Sequence, residues 1–232
     1  MSDPTPLPFP EPPGAGGAPA LDVRPRDAAR LPPGQRQTHK WPVLHAGSVP
    51  DVDPAGWRLE VFGLVEAPFR LALDELRAMP AQETVCDIHC VTRWSRLDNR
   101  FTGVSVRELV RRARPRADAQ FVTVRAEQGY TTNLPLADFD RPENLLAWAH
   151  DGVPLAPEHG GPVRLVVPHL YFWKSAKWVT GLEFRRTDAP GFWERHGYHM
   201  HGDPWREERR TPSGLAQWMA NSIRNEARKG RR

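Results

Sequence analysis

The sequence has few cysteines, no long apolar run and no strong excess of charge. Its 232 residues include only 2 cysteines, which excludes a disulfide-stapled scaffold. No stretch of about 18 apolar residues occurs, so we expect no membrane span. The net charge of +4, from 32 basic and 28 acidic residues, is too small to require a nucleic-acid partner. We therefore expect no nucleic-acid partner, although the pI of about 9.4 permits an anionic ligand.

Proline and tryptophan are abundant instead, with 25 and 9 residues, and 39% of the chain is hydrophobic. That fraction suffices for a real core, and the length suits one large domain or two small ones. Residues 1–35 contain ten prolines and few apolar residues, which predicts a flexible Pro/Gly-rich arm. We predict a globular domain over residues 36–210. Residues 211–232 are predicted to form an amphipathic helix with a basic end.

The first residues lack the features of export signals. No apolar segment follows a basic start, and no Arg-Arg pair precedes a hydrophobic stretch. Secretory and twin-arginine signals carry these features. A cytoplasmic location is therefore expected.

Strand patterns outnumber helix patterns in the predicted domain. The sequence Ser105-x-x-Glu108 is a capping box, and it predicts a helix that ends before Pro115. A shorter helix is predicted near Asp74 to Met79. Period-two alternation and β-branched residues predict strands at Trp57–Phe62, Phe121–Arg125, Val163–Val167 and Trp178–Phe184. The fold class is α+β, with strands predominating.

The two cysteines lie in one short segment. If the chain from Cys86 to Cys90 is extended, about 3.3 Å per residue places the sulfurs roughly 13 Å apart, too far for a disulfide. His89 and Arg93 are close in sequence, and positive neighbours favour the thiolate that binds metals. The alternative is a buried cysteine that acts as a small apolar residue.

Two further clusters have residue types suited to an anionic, ring-containing ligand. A Gly-Gly-Pro turn between His159 and Arg164 lets a ligand approach the backbone closely. Lys174, Ser175 and Lys177 lie between aromatic residues and could bind a phosphate and a ring. The alternatives are a solvated turn in the first case and lysine stems covering tryptophan rings in the second.

Taken in order, these motifs resemble the molybdopterin domain of the sulfite oxidase family. The resemblance covers about Arg36 to Arg186. It implies a sulfite-oxidase-type molybdopterin-binding fold with mixed β-sheets, barrel-like strands and flanking helices. The motifs are the extended segment with Cys90, Gly129–Leu136, Leu145–Ala147, Pro154-Leu155, His159–Pro168 and Lys177-Trp178.

Carried over position by position, the resemblance implies a molybdenum-molybdopterin cofactor and a set of site residues. Cys90 is the implied metal ligand and a catalytic residue, with Tyr130 and Arg93 as further catalytic residues. A soft metal bound by dithiolene sulfur suits a thiolate, and a phosphate tail suits arginine and lysine. The implied cofactor-binding residues are Lys40, Trp41, His45, His159, Arg164, Lys174, Ser175 and Lys177.

The implied activity is that of a molybdenum-dependent oxidoreductase that transfers an oxygen atom to or from a small molecule. This covers S- or N-oxide reduction and sulfite-type oxidation. No haem-attachment Cys-x-x-Cys-His motif is present, so an external electron carrier is expected. The arginine pair of sulfite oxidases is missing after Cys90, and Val91, Trp94 and Ser95 resemble the bacterial molybdenum methionine-sulfoxide reductases. Trp94 predicts an uncharged or partly apolar oxide as substrate.

Two non-catalytic interpretations compete with this one. The first is a zinc protein, although its ligands lack the usual close pairing of zinc sites. The second is an anion or nucleic-acid binder built on Lys174, Lys177 and the basic end Arg224–Arg232, which steeply salt-dependent DNA binding would support. The zinc ligands would be Cys86, His89, Cys90, His199 and His201.

Overall fold

The computed structural model describes residues 25–214, in which strands predominate over short helices. No helix among them is both long and apolar enough to cross a membrane. The helices are Pro25–Ala28 (α1), Leu73–Arg77 (α2), Val106–Ala113 (α3), Leu136–Phe139 (α4) and Phe192–Arg195 (α5). The strands are Arg36–Gln37 (β1), Arg58–Gly63 (β2), Phe69–Ala72 (β3), Ala81–His89 (β4), Trp94–Ser105 (β5), Phe121–Ala126 (β6), Thr131–Pro135 (β7), Leu145–His150 (β8), Val153–Pro154 (β9), Arg164–Val166 (β10) and Val179–Arg185 (β11).

The strands form two mixed sheets, which confirms the α+β class. In the first sheet the spatial order is β1-β5-β8-β10, with β4 beside β5 and β9 beside β8. The second has the order β3-β2-β11-β6-β7, and β11 pairs parallel with β2 and antiparallel with β6. The resemblance implied barrel-like strands, but within residues 25–214 the strands form two open sheets. The second sheet does not close, because its edge strands β3 and β7 do not pair with each other.

Hydrophobic side chains collect in three clusters. The largest packs the second sheet against α2 and α3, and it buries Leu59 and Val61 of β2 as the period-two pattern predicted. A smaller cluster around Ile88 and Phe101 packs against Trp41 and Trp94. The third, here called the aromatic cluster, consists of Tyr171, Trp173 and Tyr198, with Val91 and Trp193 against it. The last two clusters flank the segment that contains Cys90.

Helix α3 begins at Val106, as the capping-box pattern predicted, but the cap itself does not form. The Ser105 side chain makes no capping hydrogen bond, and Ser105 is also the last residue of β5. The N–H of Val106 donates instead to the carbonyl of Asn144, at 3.1 Å. The shorter helix, α2, does have an N-terminal contact, since Glu75 accepts from the N–H of Ala72 at 2.7 Å.

The chain joins the domain before residue 36, which corrects the predicted boundary for residues 25–35. Arg30 donates from Nε to Asp87 at 2.8 Å and pairs with Asp98 at 2.7 Å. This proline-rich segment has few apolar side chains, so ion pairs and main-chain hydrogen bonds attach it to the domain instead. Residues 25–38 are called the N-terminal segment below. Residues 1–24 of the predicted arm and 215–232 of the predicted helix lie outside the described part of the chain.

Candidate functional site

Cys90 directly follows β4, in a tight turn that leads into β5. Its N–H donates to the carbonyl of Trp94 at 2.8 Å, and its carbonyl accepts from the N–H of Arg93 at 3.0 Å. Arg93 has a φ of 76°, so it adopts a left-handed conformation that closes the turn. The residue Cys90 is 8% exposed, and its sulfur lies 3.1 Å from Thr92 Oγ1. We call residues 90–95 the Cys90 loop; both cysteines are free thiols.

The charges that act on Cys90 differ from those expected. Burial raises the pKa of the Cys90 thiol, while Thr92 hydrogen bonding and the positive charges of Arg209 and Lys177 oppose that rise. Burial lowers the pKa of His89 to about 4, so its ring is neutral near pH 7 and cannot favour a thiolate. The Arg93 side chain is exposed, and its Nη1 lies near Gly34 of the preceding segment. Its proposed contact with substrate stays a prediction.

Arg164 is a buried cation at the start of β10. The residue is 1% exposed, and its guanidinium donates to the carbonyls of His159 at 2.8 Å and Ser175 at 2.9 Å. The Phe172 ring lies 4.3 Å away. Burial lowers the pKa of Arg164 to about 9, and no carboxylate of the described residues forms an ion pair with it. An uncompensated buried charge is costly, so this site suits an anionic ligand.

Lys177 and His159 lie beside Arg164. Lys177 donates to the carbonyl of Glu158 at 2.6 Å, and burial together with the charge of Arg164 lowers the pKa of Lys177 to about 7. His159 stacks on Trp41 with ring centroids 4.0 Å apart. Burial and the nearby charges of Lys177 and Arg164 lower the pKa of His159, which keeps the ring neutral. Its buried Nδ1 has no hydrogen-bond partner among the described residues, so that atom is available to a polar ligand.

Gly160 explains how these side chains come together. Its φ is +103°, and a Cβ at this position would lie 2.9 Å from Cβ of Lys177 and 3.1 Å from Cβ of Arg164. A larger residue would therefore push the two cations apart. The tight turn predicted from the Gly-Gly-Pro sequence is confirmed.

Several buried polar atoms around the Cys90 loop have no partner within residues 25–214. Folded proteins rarely leave such atoms unsatisfied, so a polar ligand or ordered water is expected to pair with them. A pterin offers ring nitrogens and oxygens, its phosphate offers a counter-charge, and a dithiolene-bound metal accepts a thiolate. The donor set therefore fits the expected cofactor. The atoms are Nε1 of Trp94, Nδ1 of His159, Oη of Tyr171 and Nε of Arg209.

Lys174, predicted to bind the cofactor, does not face the site. Its side chain is fully buried, and Nζ lies 2.7 Å from Oε1 of Glu194. The same ammonium donates to Asn133 at 2.9 Å and to the carbonyl of Met200 at 2.6 Å. An ammonium has three N–H groups, and all are used inside the protein. The predicted role is therefore wrong, and Lys174 anchors α5 and the following segment to the domain.

Ser175 also points into the protein. Its Oγ accepts from the N–H of Val167 at 2.9 Å, and its carbonyl accepts from Arg164. The residue is 2% exposed. It orients Arg164, in place of the direct cofactor contact that was predicted.

Tyr130 and the Thr38–His45 region meet the expectations only in part. The Tyr130 hydroxyl donates its one proton to the carbonyl of Trp173 at 2.8 Å, so it is not available to donate to a transferring oxygen. Trp41 reaches the site through its stack on His159. Lys40 and His45 are exposed, and the His45 ring lies 5.8 Å from that of Trp178. Their cofactor contacts stay predictions.

One residue at the site was missed entirely. Arg209 donates to the carbonyl of Val91 in the Cys90 loop at 2.7 Å, across a separation of 118 residues. In the sequence it belongs to a run of charged residues, Arg206-Glu207-Glu208-Arg209-Arg210, and such runs usually form a solvated surface. Arg209 and Arg210 both turn inward, Arg210 over the Tyr198 ring at 4.8 Å, and no local pattern distinguishes them from Arg206.

The zinc interpretation finds no support in the geometry. In residues 25–214 no group of three or more histidine, cysteine or acidic side chains is arranged to hold a metal ion. His89 is hydrogen-bonded to Oγ of Ser95 at 2.8 Å. His201 lies between Glu208 at 2.9 Å and Asp138 at 3.1 Å, far along the chain from the cysteines.

A separate cavity of about 510 Å³ lies beside α3 and contains none of the predicted site residues. Its wall mixes both charges, including Arg107 and Asp140, which pair with each other at 3.3 Å. It lacks the buried, unpaired cations found near Cys90. The chemistry therefore favours the Cys90 loop over this cavity as the candidate site.

Replacing Arg164 with methionine is expected to weaken cofactor binding by roughly ten- to a hundredfold, because one charge-assisted hydrogen bond contributes about 1.5–3 kcal/mol. Methionine keeps the apolar packing of the stem. The measurement is molybdenum content and pterin fluorescence of the purified full chain, with the melting temperature as a check on folding. Arg111→Ala, at a side chain 70% exposed, is the control and should leave both unchanged. Full cofactor content in Arg164→Met would contradict the assignment.

Comparison with known proteins agrees with this geometry. Residues 46–193 match the family described as "Oxidoreductase molybdopterin binding domain". The chain is 52% identical over 185 residues to "Uncharacterized oxidoreductase YuiH" of Bacillus subtilis, which covers 79% of this chain and 93% of that protein. It is 32% identical over 154 residues to "Putative protein-methionine-sulfoxide reductase subunit YedZ1" of Azospira oryzae, which covers 66% of this chain and 58% of that one.

A third relative and a solved structure are more distant. "Protein-methionine-sulfoxide reductase catalytic subunit MsrP" of Campylobacter jejuni is 26% identical over 163 residues, covering 63% of this chain and 54% of that protein. The chain thus spans little more than half the length of the two reductases. The sulfane dehydrogenase SoxCD from Paracoccus pantotrophus shares the fold, with a TM-score of 0.59 at 20% identity, covering 66% of this chain and 43% of that one.

Proposed function

Because the chain belongs to the oxidoreductase molybdopterin-binding family, with molybdenum-molybdopterin as its cofactor, we propose that it reduces a small, uncharged S- or N-oxide by oxygen-atom transfer. The observation that carries this proposal is the buried Cys90 thiol close to the cation Lys177, which itself lies beside Arg164. No carboxylate ion pair is found for either cation in the described chain. That combination suits a metal-bound thiolate and a phosphate.

Each cofactor-binding residue has a distinct task in this proposal. Cys90 ligates the metal, Arg164 and Lys177 bind the phosphate, and His159 binds the pterin through its unpartnered Nδ1 while Trp41 supports its ring. When bound, the cofactor supplies the oxygen-atom exchange and the two-electron redox chemistry. The chain contributes binding, orientation and the electrostatic environment. In this arrangement the positive charges of Arg164 and Lys177 are balanced by the negative charges of the cofactor phosphate and the Cys90 thiolate.

The substrate preference rests on the aromatic cluster. The Trp94 ring, from which an apolar wall was predicted, packs in the cluster of Ile88 and Phe101 instead. Val91 of the Cys90 loop contacts the aromatic cluster. The buried Tyr171 hydroxyl has no hydrogen-bond partner among the described residues, so its O–H can donate to the oxygen of a neutral oxide. The guanidiniums of Arg209 and Arg210, each 4.8 Å from the ring centre of Tyr171 or Tyr198, add positive charge that can polarise that oxygen.

The test compares the two directions of transfer in the cofactor-loaded full chain. Reduction of dimethyl sulfoxide, methionine sulfoxide and trimethylamine N-oxide is measured with reduced viologen, and sulfite oxidation with ferricyanide. We expect kcat/KM for at least one oxide to exceed that for sulfite by at least about tenfold. A kcat/KM for sulfite above about 10⁵ M⁻¹s⁻¹, with no reduction of any oxide, would contradict the proposal and indicate that the protein oxidises sulfite.

The electron carrier and the location are also proposals. We infer an external carrier from the lack of a Cys-x-x-Cys-His haem-attachment motif in the sequence. The cytoplasmic location stays a prediction, which fractionation of cells that express the full-length native protein would test.

A further inference from the structure

The family match covers residues 46–193. Two segments outside that range contact the Cys90 loop. The first is the N-terminal segment, in which Gln35 donates from Nε2 to the carbonyl of Cys90 at 2.9 Å. The N–H of Arg36 donates to the carbonyl of Arg93 at 2.9 Å, and β1 runs parallel to the start of β5. The second is the return segment, residues 196–210, which contributes Arg209. The loop is therefore held from two sides.

Arg209 connects three parts of the protein through one guanidinium. Nη1 donates to the carbonyl of Val91 at 2.7 Å, and Nη2 donates to the carbonyl of Pro33 at 3.3 Å. The guanidinium carbon lies 4.8 Å from the centre of the Tyr171 ring. These contacts join the Cys90 loop, the N-terminal segment and the aromatic cluster. A lysine has one point charge and could not reproduce the planar fork.

The charge of Arg209 is poorly compensated by the protein itself. Its side chain is 12% exposed, and the nearest carboxylate, that of Glu207, lies 3.7 Å away on a side chain 48% exposed. The guanidinium lies 2.7 Å from the carbonyl of Val91, the residue next to Cys90, so a metal-bound thiolate at Cys90 would be the buried anion that it lacks.

The return segment is itself firmly anchored, so Arg209 has a fixed position. The N–H of Tyr171 donates to the carbonyl of Gly202 at 2.8 Å. The carbonyl of Met200 accepts from the buried Lys174. The N–H of His199 donates to the carbonyl of Arg209 at 3.3 Å. A side chain held this way can impose a geometry on the loop that it touches.

We propose that Arg209 is a positioning residue for the metal ligand. Its fork holds the carbonyl of Val91 next to Cys90, which fixes the direction of the sulfur, and its charge balances the thiolate. Gln35 holds the neighbouring carbonyl from the other side. This inference rests on the proposed function, since it takes Cys90 as the ligand. It adds that the geometry of the Cys90 loop depends on Gln35 and Arg209, which lie outside the matched residues 46–193.

The test uses the cofactor-loaded full chain with Arg209→Met and Arg209→Lys. The readouts are the thiolate-to-molybdenum absorption band, the paramagnetic resonance spectrum of the one-electron-reduced metal, and hydrogen exchange in peptides that contain residues 90–95. For Arg209→Met we expect a shifted spectrum, at least about tenfold faster exchange in the loop, and a fall in kcat with little change in KM. Arg209→Lys should recover part of the spectrum but leave the exchange fast, because it keeps the charge without the fork.

Arg206→Ala is the matched control, because Arg206 is on the same segment with a side chain 72% exposed. It should behave as the unchanged protein in every readout. Spectra and exchange like those of the unchanged protein in both Arg209 variants would overturn the proposal, and so would equal changes in Arg206→Ala. Cys90→Ser separates the two claims: if it keeps the absorption band, Cys90 is not the ligand and the proposed function fails with it. If Cys90→Ser loses the band but both Arg209 variants leave the spectra and the hydrogen exchange unchanged, the positioning role fails and the proposed function stands.

Discussion

Replacing Cys90 with serine is expected to abolish oxygen-atom transfer, with a fall in kcat of about 10³-fold or more, while the fold and most of the cofactor remain. Serine fills nearly the same volume in a position only 8% exposed and keeps a partner for Thr92. Its oxygen is a hard, weakly acidic ligand, whereas a metal already bound by dithiolene sulfur prefers a thiolate. Arg164 and Lys177 would still bind the phosphate. Activity and the thiolate-to-molybdenum absorption band are the measurements.

Cys86→Ser is the control for this experiment. Cys86 lies inside β4, where its carbonyl accepts from Asn99 at 3.2 Å, and burial raises the pKa of its thiol to about 12. An inert, partly buried thiol in a strand should be replaceable with little effect on turnover. If Cys86→Ser loses the absorption band and Cys90→Ser keeps it, the ligand assignment is reversed.

Replacing Lys174 with methionine is expected to lower the free energy of unfolding by about 3–5 kcal/mol, a large fraction of a domain's stability. Both partners of the Lys174–Glu194 pair are fully buried, with Nζ and Oε1 2.7 Å apart. Methionine would leave the Glu194 carboxylate with Trp173 Nε1 as its one short contact, at 2.8 Å. It would also remove the shorter of the two hydrogen bonds to the carbonyl of Met200 and leave the one from Asn133 Nδ2, at 3.3 Å. Denaturant and thermal unfolding measure the loss.

A double-mutant cycle shows whether the pair itself is responsible. Lys174→Met combined with Glu194→Gln should recover part of the stability, because no unpaired charge then remains buried. Arg70→Ala removes an exposed pair of similar distance, 2.7 Å, with side chains 73% and 44% exposed, and should cost less than about 1 kcal/mol. A loss below about 1 kcal/mol in Lys174→Met would contradict the expectation.

Local patterns in the sequence predicted the local structure well. The alternation at Leu59 and Val61 located β2, because side chains in a strand alternate between two faces. The turn at Gly160 was predicted because only glycine tolerates its backbone conformation without strain. In each case the physical cause lies within a few residues. The positions of His159 and Arg164 beside that turn followed directly.

Long-range contacts could not be predicted in the same way. Lys174 and Lys177 lie in one short aromatic stretch, yet one is fully buried against Glu194 and the other lies near Cys90. Nothing local distinguishes them, because the difference depends on where α5 packs. Arg209 and Gln35 contact the Cys90 loop for the same reason, through segments whose sequences suggest exposed chain. The resemblance located the site, and the tertiary structure decided which side chains enter it.

The position of β11 has a consequence for the order of events during synthesis. This strand is the middle of the second sheet, with Leu182 opposite Val61 on one side and Val124 on the other. Until the ribosome has released β11, β2 is paired with β3 on one side and has an open edge on the other. That edge must be kept from pairing with other chains. Pairing so far apart in sequence is also slow, on the order of milliseconds to seconds. Lys177 lies two residues before β11, so the step that completes the sheet also brings Lys177 to the phosphate site. Cofactor loading therefore follows release of the strand that ends at Arg185.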